Sequence, residues 1–255
     1  MTPEFIPAAT VVILRQTAGG APELLMIERA ADMRFAGGAL VFPGGRIDPG
    51  DHVIAASPAL LIGDIPNDAD DAAARVGAIR ETIEEVGIAI GLHPLPEAST
   101  TAQIRVALAE GADFGALLES SGHRLDLGQL APFARWCPDL NARNFDTRFY
   151  LAAAPETGIA EADGSESIRS LWISAASALA DADEGHHRII FPTRRNLERL
   201  ATFASIGEAI ADGARYGSPK ITPRIEERDG EQWLFIPDDC GYPVIEELLE
   251  IAMRA

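Results

Sequence analysis

Residues 70–87 constrain this chain more than any other stretch. Their period predicts a helix stopped by Gly87. At about 100° per residue, Ala72, Val76, Ile79, Ile83 and Val86 fall on one apolar stripe. A glycine just past the last periodic residue is a helix-stop signal. Glu81, Glu84 and Glu85 share the opposite face. The turns before them on that face carry Ala74, Gly77 and Ala78, where a solvent face would carry long charged chains. Acids standing above a floor of small residues read as a site with space left for a ligand. Three glutamates in the last two turns also oppose the helix dipole, and Glu81 repels Glu85 at i,i+4. Uncompensated, this costs on the order of 1–3 kcal/mol. Arg80 can pair with Glu84, but one cation does not neutralise three carboxylates. A divalent ion would, and clustered carboxylate oxygens suit a hard ion such as Mg²⁺. The alternative is a solvated acidic helix face.

The second informative stretch is Pro43-Gly44-Gly45, which follows an apolar strand predicted over residues 38–42. Such a turn has bare backbone that can approach a ligand or an ion. Together the two stretches resemble the Nudix box, Gly-x5-Glu-x7-Arg-Glu-U-x-Glu-Glu-x-Gly-U, with U aliphatic. Gly45 matches the first glycine, and Arg80, Glu81, Glu84, Glu85, Gly87 and Ile88 match the second half in register. The chain departs from the pattern at three points: Asp51 stands where Glu is expected, Thr82 stands at the first U, and a long insertion separates Asp51 from Arg80. A Nudix branch that includes a coenzyme A diphosphatase carries an insertion at this point. Resemblance to it extends to Ala134-Arg135-Trp136, to Phe145-Asp146-Thr147-Arg148-Phe149 and to Phe191-Pro192-Thr193. A further signature, found beside the box in coenzyme A pyrophosphatases, is matched by Arg29, Met33, Arg34, Gly38 and Phe42. There Ala30 replaces a Ser and Ala36 replaces a His.

The resemblance implies an α/β fold of the Nudix type: an α/β/α sandwich around a mixed sheet, with helical insertions and a C-terminal extension. One hydrolase domain would span residues 1–255, with the box insertion at 52–69, a helical insert at 99–130 and the extension at 191–255. The implied reaction is metal-dependent hydrolysis of the pyrophosphate in a nucleoside diphosphate linked to another moiety. Coenzyme A or an acyl derivative leads among substrates. ADP-ribose, nucleotide sugars and dinucleoside polyphosphates stay open, as does a non-catalytic nucleotide-binding regulatory module. Glu81, Glu84 and Glu85, with the Gly44 carbonyl, would hold Mg²⁺ or Mn²⁺. Either Glu81 or Glu166 would take the proton, Glu85 belongs with the catalytic acids, and Arg80 would orient the glutamates. Arg29 and Arg34 suit forked phosphate contacts, and Arg46, Arg148 and Phe149 are further candidate substrate contacts.

Composition narrows the partners. A net charge of −18 opposes nucleic-acid and anionic-membrane binding, which need a basic footprint. A phosphorylated small molecule would then depend on metal ions and a few local arginines. No apolar run reaches the length of a membrane span and no signal-peptide pattern is visible. Two lone cysteines among 255 residues fit a cytoplasmic protein.

Along the chain, strands are expected over residues 7–16, 23–29, 130–136, 146–153 and 168–173, and two short helices over 100–110 and 113–121. Alternation in 146–153 puts Thr147, Phe149 and Leu151 on one face, with Asp146, Arg148 and Tyr150 on the other. Trp172 is expected to start a helix capped near Ser174, and residues 191–213 read as one helix. Asp229-Gly230 signals a hairpin between 224–227 and 232–236. Residues 244–253 read as an amphipathic helix. The C-terminal residues could cover the pocket or build a homodimer.

Overall fold

The computed structural model describes residues 5–31, 36–139, 144–155, 160, 162, 164 and 167–253. Its elements in order are β1 (Ile6–Arg15), β2 (Glu23–Arg29), β3 (Leu40–Val41), β4 (Gly44–Arg46), α1 (Pro49–Ala55), β5 (Leu61–Ile62), α2 (Ala69–Val86), β6 (Leu92–His93), α3 (Ala98–Ala109), α4 (Phe114–Ser121), β7 (Arg124–Asp126), β8 (Ala131–Trp136) and β9 (Phe145–Ala153). There follow β10 (Ser167–Ser174), α5 (Ala175–Asp183), α6 (Phe191–Leu200), α7 (Ile206–Tyr216), β11 (Lys220–Ile221), β12 (Arg224–Arg228), β13 (Glu231–Phe235), β14 (Glu246–Leu248) and α8 (Leu249–Met253).

Among these residues an eight-stranded sheet runs β10-β2-β1-β9-β8-β11, with β3 beside β2 and β4 beside β1. It is mixed: β1 pairs β9 in parallel and β2 and β4 antiparallel. Both faces of β1 are apolar because both are covered. Val11 and Ile13 face a core built with Val76, Ile79 and Ile83 of α2. Val12 and Leu14 face a second core with Ala178 of α5, Leu197 of α6 and Leu234 of β13. This is the expected α/β/α sandwich around a mixed sheet.

The segments expected to be the box insertion and the helical insert are joined by strand pairing. β5 pairs β7 in parallel and β6 pairs β7 antiparallel, so residues on both sides of α2 close a three-stranded sheet. Leu60, Phe114 and Leu118 fill the core beneath it.

The hairpin at Asp229-Gly230 is present, with both residues at positive φ (53° and 84°), the geometry of a two-residue loop matched to strand twist. The C-terminal part differs from expectation in three places. Trp172 lies inside β10, and only the cap at Ser174 holds, accepting from the Ser177 amide. The helix expected over 191–213 is two helices. The break follows from a capping arrangement at 205–208: Ser205 Oγ accepts from the Glu208 amide while Glu208 accepts from the Ala204 amide, so a fresh helix begins there. Residues 246–248 are the strand β14, paired to β13. The edge of the hairpin recruits them, and tertiary pairing overrides their helical period.

Candidate active site

Helix α2 begins at Asp68, whose side chain accepts from the Asp70 amide, and ends at Gly87, a left-handed cap whose amide donates to Ile83. Its first turns are fastened to the sheet and the loop before it. Tyr150 Oη donates to Asp71 Oδ1 at 2.8 Å, and Arg75 Nη1 donates to the carbonyls of Leu127 and Leu130. This fixes where the last turns point. They meet β4, which carries the Gly44-Gly45 turn and is held in register by β1 (Ala9 opposite Gly45, Thr10 opposite Gly44).

Two contacts join the halves of the box. The Gly44 amide donates to Glu85 Oε2 at 2.8 Å. Gly45 lies directly against the Glu81 carboxyl, so a Cβ there would strike it; only glycine admits this approach.

Arg80 organises the acids, and all five of its N–H donors are used. Nε donates to Asp51 Oδ1 and one Nη2 hydrogen to Asp51 Oδ2, at 3.1 and 3.0 Å. The other Nη2 hydrogen goes to the Arg46 carbonyl at 3.0 Å. Nη1 serves Glu81 Oε1 at 2.9 Å and Glu84 Oε1 at 3.0 Å. Asp51, 1% exposed, also accepts from the Asp48 amide at 2.8 Å. The aspartate that departs from the Nudix pattern is thus the fork that aims Arg80.

The small floor on α2 has another purpose than the one expected. Ala74, Gly77 and Ala78 are buried, and over Gly77 sits Asp51, not open space. Thr82 is fully buried and donates its hydroxyl to Ala78 at 2.7 Å, so this departure leaves no unmet polar group.

Electrostatics follow from the geometry. Burial pushes the Glu81 carboxyl up to about 7; Arg80 opposes that shift, and the Glu84 and Asp51 charges add to it. Arg80 is itself buried, but its bonds to Asp51 and the charge of Glu81 hold its pKa above the ordinary value.

The structure brings Arg80, Glu81, Glu84, Glu85 and Gly44 together, and adds Arg29, whose Nη1 stands 3.7 Å from Glu85 Oε1. Arg46 supplies its carbonyl here, and its side chain is exposed on β4. Arg148 and Phe149 do not join this cluster. Arg148 pairs with Asp68 and Asp71 at the opposite end of α2, bordering a separate cavity of about 180 Å³. Phe149 is buried in the core on the other face of the sheet. Arg34 and Glu166 lie outside the described residues.

Sequence reasoning missed two participants. Asp51 was visible in register, but its tie to Arg80 crosses the insertion. Arg105 of α3 donates from Nε to the Glu84 carbonyl and from Nη2 to the Glu85 carbonyl, both at 2.9 Å; no local pattern announces it.

The donors fit a hard divalent cation in kind, as carboxylate oxygens whose mutual repulsion a cation relieves. Among the described residues no three acidic, histidine or cysteine side chains converge closely enough to hold an ion as they stand. No helix among them is long and apolar enough to cross a membrane.

No family model matches the sequence. Among solved structures, a Nudix hydrolase from Alicyclobacillus acidocaldarius matches with a TM-score of 0.72 and 31% identity, over 83% of this chain and 97% of that one. Weaker likenesses include a MutT Nudix hydrolase from Burkholderia pseudomallei (TM-score 0.43, 16% identity, 77% of this chain and 98% of that one). A MutT protein from Methanosarcina mazei Go1 matches with a TM-score of 0.41 and 15% identity, over 79% of this chain and 96% of that one. The assignment rests on the first of these, with the Arg80–Glu81–Glu84–Glu85 arrangement and the Gly44-Gly45 turn already in place: the chain belongs to the Nudix hydrolase family.

Proposed function

We propose that this chain hydrolyses the pyrophosphate of a nucleoside diphosphate linked to another moiety, with coenzyme A or an acyl-coenzyme A as the substrate. The observation that carries the reaction class is the full use of Arg80. Its five donors hold Asp51, Glu81, Glu84 and the Arg46 carbonyl, next to the Gly-Gly turn, in one arrangement, so the acids are oriented before any ligand arrives.

Glu81, Glu84 and Glu85, with the Gly44 carbonyl, would hold Mg²⁺ or Mn²⁺. Such an ion, when bound, neutralises the diphosphate and makes an attacking water more acidic. Glu85 ties the turn to the helix through the Gly44 amide. Glu81, with its pKa raised toward neutrality by burial, is suited to accept a proton from water. Glu166 is the second candidate for that role. Arg29 beside Glu85, and Arg34 five residues further along the sequence, are the cations proposed for substrate phosphates.

The coenzyme A assignment rests on the arginine signature at 29–42 and the interrupted box. The test is a hydrolysis screen of coenzyme A, acyl-coenzyme A, ADP-ribose, nucleotide sugars and dinucleoside polyphosphates with Mg²⁺ and Mn²⁺, products identified by mass. Coenzyme A cleaved fastest, with Arg34→Ala and Arg29→Ala each costing about ten- to a hundredfold in kcat/KM, is the expected result. 3′-Dephospho-coenzyme A should lose much less. Preference for ADP-ribose overturns the substrate. Nucleotide binding without turnover at either metal overturns the enzyme.

A further inference from the structure

A helix C-terminus exposes carbonyls without partners and carries a partial negative charge. In α2 that end also carries Glu84 and Glu85, and its last turn contains no basic residue. The compensation comes from elsewhere. The Gly87 amide takes the Ile83 carbonyl at 3.0 Å. The next two carbonyls, those of Glu84 and Glu85, are taken by Arg105 Nε and Nη2, both at 2.9 Å. The guanidinium lies across Gly87, with Nη1 at 3.3 Å from where a Cβ would stand. Arg105 belongs to α3, inside the helical insert, and α3 packs along α2.

We infer that Arg105 is a positioning residue for the acidic site. It acts through the backbone of the two residues whose side chains are the candidate ligands, and it makes the insert part of the active-site support. The inference rests on the metal-site reading given above. A planar fork matches two successive carbonyls, which a lysine ammonium can engage only one at a time. Once the fork is gone, the last turn of α2 frays, Glu84 and Glu85 lose their fixed aim, and an ion gathers its ligands at a conformational cost. Partners that hold a ligand from behind typically matter by ten- to a hundredfold in metal affinity.

The experiment compares wild type, Arg105→Gln, Arg105→Lys and Leu118→Ala. The last is a control: Leu118 is buried in α4 of the same insert, so its truncation weakens packing without removing the fork. Amide hydrogen exchange at Glu85–Gly87 is followed without metal, and Mn²⁺ affinity by titration with electron paramagnetic resonance. R105Q should speed exchange at these amides and weaken Mn²⁺ binding about tenfold, with R105K between R105Q and wild type. L118A should lower the melting temperature with Mn²⁺ affinity kept. Unchanged exchange in R105Q overturns the inference. So does faster exchange with unchanged Mn²⁺ affinity, because the contact is then structural only. Wild-type protein that binds no Mn²⁺ instead overturns the metal-site reading, and with it the positioning role.

Discussion

Asp51 is seated on Gly77: its Oδ2 lies 2.8 Å from where a Cβ on Gly77 would stand, while both its oxygens face Arg80. A residue before the insertion and one after it are thereby in contact, and the contact sets the height at which Arg80 meets the glutamates.

Gly77→Ala should push Asp51 off its seat. Overpacking of this kind costs about 1–3 kcal/mol, read as a lower urea midpoint. Asp51→Asn removes the charge opposite a buried guanidinium and should cost about 3 kcal/mol or more. Both should lower turnover further than stability loss explains, because Arg80 also holds Glu81 and Glu84. A stable D51N enzyme with wild-type rate would show that Arg80 does not need its fork.

Glu85→Gln keeps an oxygen that can accept from the Gly44 amide, so the turn and the fold should survive. Turnover should fall by at least about a hundredfold, the scale of a lost catalytic charge. Steady-state kinetics on protein with an unchanged circular dichroism spectrum decides it; near-normal turnover removes Glu85 from the chemistry.

The turn and the acidic helix were legible in the sequence because both depend on short spacings: a helical period, a glycine stop, a Pro-Gly-Gly turn. The occupant of the floor at Ala74, Gly77 and Ala78 was not legible. Small residues record only that something approaches closely, and at Gly77 it is a carboxylate from the helix that leads into the insertion. The break before Ile206 had a local signal in Ser205 and Glu208, hidden because apolar residues continue on both sides. Strand β14 had none, since its partner is brought by the fold. The motifs at 134–136, 145–149 and 191–193 converge on one place: Trp136 meets Phe191 edge-on at 5.9 Å, and Ala134 opposes Phe149 in the ladder.

Glu81 predicts a pH effect in the metal-free protein. Its folded pKa, about 7, lies above the ordinary 4.5, so the folded state binds more protons between those values. Its contribution to stability is complete below pH 4.5 and is lost as pH rises to about 7, amounting to at most about 3 kcal/mol. Urea midpoints measured across this window should fall with rising pH in wild type and much less in Glu81→Gln. Saturating Mg²⁺ should flatten the wild-type slope by favouring the carboxylate. A wild-type profile that is flat without metal would contradict the burial argument.

Arg148→Ala should leave kcat/KM within about twofold, because its partners are Asp68 and Asp71 at the far end of α2. Stability should fall by about 1 kcal/mol, the scale of a partly exposed pair. A tenfold rise in KM with kcat kept would instead place substrate in the cavity beside Arg135 and Arg148.

The pairing of β1 bears on the order in which the protein assembles. Ala8, Ala9 and Thr10 touch Arg46, Gly45 and Gly44 on one side and Thr147, Arg148 and Phe149 on the other. The strand that aligns the Gly44-Gly45 turn is itself anchored by a segment far downstream. Contacts so distant along the chain form slowly, since loop closure precedes their reward. During synthesis the acidic helix leaves the ribosome well before β9 does. A newly made chain therefore carries its glutamates for some time with no aligned turn to receive them, and the candidate site can be complete only once most of the polypeptide exists.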